Sequence, residues 1–287
     1  MPITDTPLRY PGGKTQMTPL VQEIMRANGL LQCIYCEPFA GGAGIACRLL
    51  VSGAIAEAWI NDIDPAIHAF WDCVLNATDD LCELIEGTPV TMEEWHRQRA
   101  VQQRSRASQL ALGFSTLYLN RTNRSGILKG GVIGGLEQKS KYPLDCRFNR
   151  VDLVRKVRRI ATYRDQIQLS CQDARLYIGT RVKRLPMHSL VNIDPPYYDK
   201  GPELYTSFYT HADHAALARA VRSIEKPWIL TYDDVNEIRR LYAGLPGTQK
   251  ELKYTAQEKK VGIELLILSP ALKSPASLRI KQLLEAA

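Results

Sequence analysis

The stretch that decides the fold is Gln32-Cys33-Ile34-Tyr35-Cys36-Glu37-Pro38-Phe39-Ala40-Gly41-Gly42-Ala43-Gly44. Gln32–Glu37 reads as a buried strand, Pro38–Gly44 as a turn of small residues, and Ile45–Val51 as the helix that follows. Glycines at a strand-to-helix turn let the backbone come close to a ligand. Ala56–Ile60 reads as a second strand. It ends in Asn61-Asp62-Ile63-Asp64-Pro65, where Asp64 suits the N-cap of a helix with Pro65 in its first turn. Strand, turn, helix, strand, turn, helix is the opening of a nucleotide-binding α/β sheet.

The pattern resumes far downstream. Gln166–Cys171, Ser189–Ile193 and Trp228–Thr231 read as strands, 211–224 and Val235–Tyr242 as helices, and Glu251–Thr255 with Gly262–Leu268 as a closing antiparallel pair. A chain of 287 residues, 45% apolar and 23% charged, can bury one large core with an insert and is too apolar for wholesale disorder. No apolar run approaches the roughly 18 residues of a membrane span. The N-terminus lacks the basic and apolar regions of a secretory signal. Seven cysteines, an odd and scattered set, suit reduced thiols in a cytoplasmic protein. Cys33 and Cys36 have no second pair and no histidine at finger spacing, so they read as small apolar residues along a strand, and no metal site is expected.

The net charge of +7 is unevenly spread. Thr91–Asp165 holds 16 Lys+Arg against 6 Asp+Glu, an excess of +10, which leaves the rest of the chain at −3. That segment reads as an inserted module for a polyanion. Within it, Gly126–Gly135 reads as a flexible loop or hairpin tip. Arg155, Lys156, Arg158 and Arg159 read as the solvated side of a helix whose other face is Val151, Val154, Val157 and Ile160.

Asp194-Pro195-Pro196-Tyr197 closes an apolar strand, and strand ends are where open α/β sheets hold ligands. Two prolines remove two N–H donors and stiffen the turn. The Asp194 carboxylate and the Pro195 carbonyl are then two acceptors, suited to the two N–H donors of an exocyclic amine such as N6 of adenine. Tyr197 offers a ring on which an extruded base can stack. Glu37 opens the glycine turn around Phe39 and Gly41, and an acid there suits a ligand carrying an ammonium group, such as the methionine part of S-adenosyl-L-methionine. Asp62, just past the second strand, is placed for ribose hydroxyls. In Arg9-Tyr10-Pro11-Gly12-Gly13-Lys14, Tyr10 could cover a purine and Lys14 could contact the cofactor.

Taken together these motifs resemble the Dam-type (D12 class) DNA N6-adenine methyltransferases, across almost the whole chain and in the α-group order. Tyr118-Leu119-Asn120-Arg121 and Cys146-Arg147-Phe148-Asn149-Arg150 resemble elements of that family's target-recognition module, and Glu264-Leu265-Leu266 its final strand. The resemblance implies a Rossmann-like methyltransferase core over 1–75 and 160–287 with a mainly helical target-recognition domain inserted at 76–159. It implies S-adenosylmethionine contacts at Tyr10, Lys14, Glu37, Phe39, Gly41, Asp62 and Asp194, with Asp173 near the cofactor's adenine. It implies catalysis by Asp194, Pro195 and Tyr197, and contacts to double-stranded DNA from Arg121, Arg124, Arg147, Asn149 and Arg150. The expected protein is a monomer or weak dimer, cytoplasmic and associated with the nucleoid of a bacterial host, with no membrane partner. Tyr10 stands where some members have Trp, and Ala43 where Gly is frequent. The same chemistry on RNA, or a silent DNA-binding relic, are the competing expectations.

Overall fold

Eight strands form one sheet in the order β3-β2-β1-β4-β5-β7-β6-β8. They are β1 Cys33–Glu37, β2 Ile55–Asn61, β3 Ile167–Ser170, β4 Ser189–Ile193, β5 Trp228–Asp233, β6 Pro246–Thr255, β7 Lys259–Leu268 and β8 Lys281–Gln282. The computed structural model describes residues 4–9, 14–199, 209–255, 259–278 and 281–282. β1 to β5 pair in parallel, and β7 inserts antiparallel between β5 and β6. The order reverses between β1 and β4, so the loops leaving these two strands part and open a crevice. The closing pair forms in the register Glu251 to Ile263 and Leu252 to Gly262.

The two-residue period of the strands divides the core. Cys33, Tyr35, Leu190, Ile229, Leu266 and Leu268 face one apolar layer, whereas Cys36, Val191, Ile193, Leu230, Leu265 and Ile267 face the other. Cys33 and Cys36 therefore point to opposite sides of the sheet, which explains why CxxC on a strand makes no joint site.

The first layer is covered by α1 Thr18–Ala27, α2 Gly44–Val51 and α3 Pro65–Asn76, and the second by α8 Ala174–Thr180, α9 His211–Arg222 and α10 Asn236–Leu241. Asp64 caps α3, accepting from the Ala66 N–H at 2.9 Å. Between β2 and β3 come α4 Thr78–Gly87, α5 Met92–Gln102, α6 Gln109–Thr122 and α7 Arg150–Ala161. Leu81, Trp95, Leu117 and Val157 of these helices belong to the same apolar cluster as Phe70 and Trp71 of α3. The helical segment thus extends one layer of the sheet, with no seam in the apolar packing at residue 76. Among the described residues no helix is long and apolar enough to cross a membrane.

Two expectations for this segment are corrected. Gly126–Gly135 is no free loop. Asn123 is fully buried, accepts from Trp95 Nε1 at 2.7 Å and donates to the Ile127 and Leu128 carbonyls, and Asn123 bridges to Val132. Gly126 sits at φ +79°, where a Cβ would lie 2.3 Å from the Arg9 carbonyl oxygen. On α7 Arg155, Arg158 and Arg159 are exposed as expected, whereas Lys156 is buried and Val151, expected on the apolar face, is exposed. Arg155 and Lys156 pair with Asp152, Arg158 with Asp79, and Arg159 with Asp5.

Candidate active site

The crevice between β1 and β4 is lined by acids from successive strand ends. Asn61, the last residue of β2, is the brace behind them. Its amide donates to the Pro38 and Gln172 carbonyls, and its oxygen accepts from the Ser170 hydroxyl and the Gln172 N–H. One fully buried side chain therefore fixes the loops after β1, β2 and β3. Asp62 follows. Its two oxygens accept from the Gly41 N–H at 2.8 Å and the Asp64 N–H at 2.9 Å. Burial pushes its carboxyl up to about 6 against those two bonds. The glycine turn is further held by Trp71, whose Nε1 donates to the Gly41 carbonyl at 2.9 Å. Ala43 takes a left-handed conformation, φ 43° and ψ 38°, at the N-cap of α2. A residue with a Cβ pays about 1–2 kcal/mol for it.

Glu37 ends β1 and is buried. Burial pushes its carboxyl up to about 8, and the Asp194 charge pushes the same way. Among the described residues it has no cationic partner. A buried acid with no cation beside a left-handed turn fits a ligand that brings its own ammonium group. Phe39 is half-buried, edge-on to Tyr209 at 6.2 Å.

Asp194 leaves β4 with its side chain 27% exposed. Lys14 Nζ donates to its Oδ1 at 2.9 Å, and the Thr231 hydroxyl, from β5, donates to the same oxygen at 2.8 Å. Among the described residues no donor reaches Oδ2 or the Pro195 carbonyl. Lys14 spends its other two protons on Tyr197 Oη at 3.1 Å and Glu264 Oε2 at 2.7 Å. Tyr197 donates in turn to Glu264 Oε1. Burial alone would lower the Lys14 ammonium, but Asp194 and Glu264 outweigh it and hold it above its ordinary value. Burial raises the Glu264 carboxyl, while Lys14 opposes that rise. Downstream, the Tyr198 and Asp199 N–H groups both donate to the Asp233 carboxylate, each at 2.9 Å, and so fix the turn after the two prolines.

The structure thus brings Lys14, Glu37, Gly41, Asp62, Asp194, Pro195 and Tyr197 to one end of the sheet. Tyr10 lies outside the described residues. Asp173 is committed to capping α8 and pairing with Arg175. The expected nucleic-acid contacts divide. Arg124 and Arg147 are exposed and have no ion-pair partner among the described residues. Arg121 is 9% exposed and donates from its guanidinium to the Pro7 carbonyl, and burial lowers its pKa to about 10. Arg150 donates to the Thr88 carbonyl at 2.8 Å, and the Asn149 side chain caps α7. These three stabilise the fold in this structure. Thr231, Asp233, Asn61 and Glu264 were not singled out for the site from the sequence. Glu264 did carry a signal, since a lone acid inside the apolar run Ile263-Glu264-Leu265-Leu266-Ile267 needs a buried partner.

A parallel sheet reversed between β1 and β4, an antiparallel β7, and acids at three strand ends suit an S-adenosylmethionine-dependent methyltransferase. The model of the D12 class N6 adenine-specific DNA methyltransferases matches residues 10–259, and the chain belongs to that family. S-adenosylmethionine is its methyl donor, and N6 of adenine the atom the family methylates. No curated protein matches the sequence. Among solved structures, an rRNA methyltransferase, AviRa, from Streptomyces viridochromogenes is 13% identical with a TM-score of 0.38, over 91% of this chain and 86% of that one. A putative RNA methyltransferase from Pyrococcus horikoshii is 10% identical with a TM-score of 0.41, over 95% and 87%. Likeness at this level carries no argument about substrate.

Proposed function

We propose that the chain methylates N6 of an adenine extruded from duplex DNA. The observation that supports this most is the asymmetry of Asp194. Among the described residues, Lys14 and Thr231 both donate to Oδ1, and no donor reaches Oδ2 or the Pro195 carbonyl. Two acceptors with no protein donors suit an amine with two N–H groups. Accepting both hydrogens orients the nitrogen lone pair away from the acceptors. When bound, S-adenosylmethionine supplies an electrophilic methyl whose bonding pair stays on sulfur. Glu37 suits its ammonium group, Asp62 its ribose hydroxyls, and Gly41 with Phe39 its body. As the amine gains a fourth bond it becomes cationic, and Asp194 is placed to stabilise that charge until a proton leaves. Most of the rate enhancement then comes from orientation, with nitrogen and methyl carbon about 3–3.5 Å apart. Tyr197, its hydroxyl tied down, gives the base a fixed ring to stack on, and extrusion costs a few kcal/mol of unstacking.

Arg124 and Arg147, with the exposed Arg104, Arg106, Lys129 and Lys141, supply the face for phosphates. The test is transfer of labelled methyl from S-adenosylmethionine to duplex DNA and to structured RNA, followed by nucleoside analysis. N6-methyladenine in the duplex supports the reading. Methylation of RNA alone, or of neither, overturns it.

A further inference from the structure

Asp194 and the side chains bonded around it carry an uneven charge. Lys14 contributes one positive charge, and Asp194 and Glu264 one negative charge each. Lys14 and Glu264 are nearly sealed, at 3% side-chain exposure, with Asp194 open to the crevice. Were Lys14 paired with Asp194 alone, the two charges would cancel and the acceptor facing the amine would belong to a neutral pair. Glu264 changes that balance. Its Oε2 lies 2.7 Å from Lys14 Nζ, its other oxygen accepts from the Tyr197 hydroxyl, and its side chain is buried where that of Asp194 is partly open. The cluster then keeps one net negative charge, and its solvent-facing member is Asp194.

We propose that Glu264, on β7, is a positioning residue that keeps Asp194 effectively anionic toward the methylated amine by neutralising Lys14. The inference rests on the reading of Asp194 as the amine acceptor. A nitrogen that becomes cationic on gaining a fourth bond is stabilised by a fixed net negative charge and much less by a neutral pair. Glu264 touches neither substrate nor cofactor in this scheme. It acts through Lys14, and through the Tyr197 hydroxyl whose direction it sets. Thr231 has the complementary task of turning Oδ1 inward.

The test compares Glu264→Gln with the double variant Lys14→Met, Glu264→Gln. The glutamine keeps the shape and one acceptor but removes the charge, so the cluster becomes neutral. The double variant removes both buried charges and returns the net charge to −1 on Asp194. With the full-length protein, S-adenosylmethionine and an adenine-containing duplex, Glu264→Gln should lower kcat about 10–100-fold while KM for both substrates moves less than about 3-fold. The double variant should recover at least about 3-fold of that loss. Full kcat in Glu264→Gln overturns the proposal. So does a folded double variant with no recovery over the single one, because a purely structural role would leave it no better. Should Glu264→Gln fail to fold, the double variant alone decides: kcat within about 30-fold of the parent supports the proposal, and a larger loss in a folded double variant overturns it. Absence of adenine methylation by the parent protein overturns the reading of Asp194 itself, which separates the two failures.

Discussion

The strand-end site and the basic helical segment use charge in opposite ways. At the site Lys14 and Glu264 are buried and mutually engaged with Asp194, so that Lys14 has no proton left over and, among the described residues, one Asp194 oxygen has no donor. In the segment the charge is sorted. Arg121, Arg150 and Lys156 are drawn inward to carbonyls and an acid, and the exposed Arg159 pairs with the buried Asp5, while Arg124 and Arg147 remain outside. A run of +10 is therefore a poor guide to how many bases meet a partner, because part of it bonds to residues 5–7 and within the helical segment itself. A site fixed before its substrate arrives suits orientation catalysis. A sparse outer set of bases suits a backbone that is gripped with little order beforehand.

The hardest test of this contrast is at Asp194. Asp194→Ala should cost more than about 100-fold in kcat, at least 2.7 kcal/mol, with circular dichroism and melting little changed. A variant that methylates normally would remove the site from the comparison. A second test uses the buried acid Glu37, whose carboxyl is raised to about 8 in the folded chain. The folded state then binds this proton more tightly than the unfolded state. Its stabilising effect is complete below about pH 4.5 and is lost as pH rises through about 8. Melting followed across that window should show a decline in the parent that Glu37→Gln lessens, by an amount on the order of a few kcal/mol. S-adenosylmethionine, by bringing an ammonium group to Glu37, should also lessen it.

The outer bases are expected to matter less individually. Arg124→Ala and Arg147→Ala should each weaken duplex binding by about 1–3 kcal/mol. For phosphate contacts, the slope of log affinity against log salt should also fall by about 1. Arg121→Ala should instead lower the melting temperature, since its guanidinium supports the Pro7 carbonyl inside the fold. An unchanged salt slope in both outer variants would end the division into inner and outer bases. The smallest effect is at the glycine turn. Ala43→Gly relieves a left-handed alanine but makes the unfolded chain more mobile, so calorimetry should find a net gain below about 1 kcal/mol.

What could be read in the sequence was what depends on neighbours along the chain. The strand before Glu37, the cap at Asp64 and the proline turn after β4 are each set by a few consecutive residues, and the structure has them where local chemistry requires. Side chains whose partners lie far away were read less well. Arg121 and Arg124 look alike three residues apart, yet one packs under residues 4–9 and the other faces solvent. Gly126–Gly135 has the composition of a mobile loop, but the buried amides of Asn120 and Asn123 bond its backbone carbonyls. Glu264 and Thr231 complete the Asp194 cluster from strands that the sequence places 70 and 37 residues away; the lone acid in its apolar run marks Glu264 as needing a partner but does not say which, and nothing local marks Thr231.

The beginning of the chain has a further consequence, one of timing. Asp5 pairs with Arg48 and Arg159, Pro7 holds Arg121, Arg9 exchanges hydrogen bonds with Asn120, and Lys14 waits for Asp194 and Glu264. Residues 5–14 thus bond to partners made 43 to 250 residues later. A nascent chain can build β1, α2 and β2 early, but it cannot assemble the Lys14 cluster until β7 has been synthesised. The methyl-transfer site is therefore among the last features to appear during synthesis, and an incomplete chain ending before Glu264 would lack the ion pair that closes it.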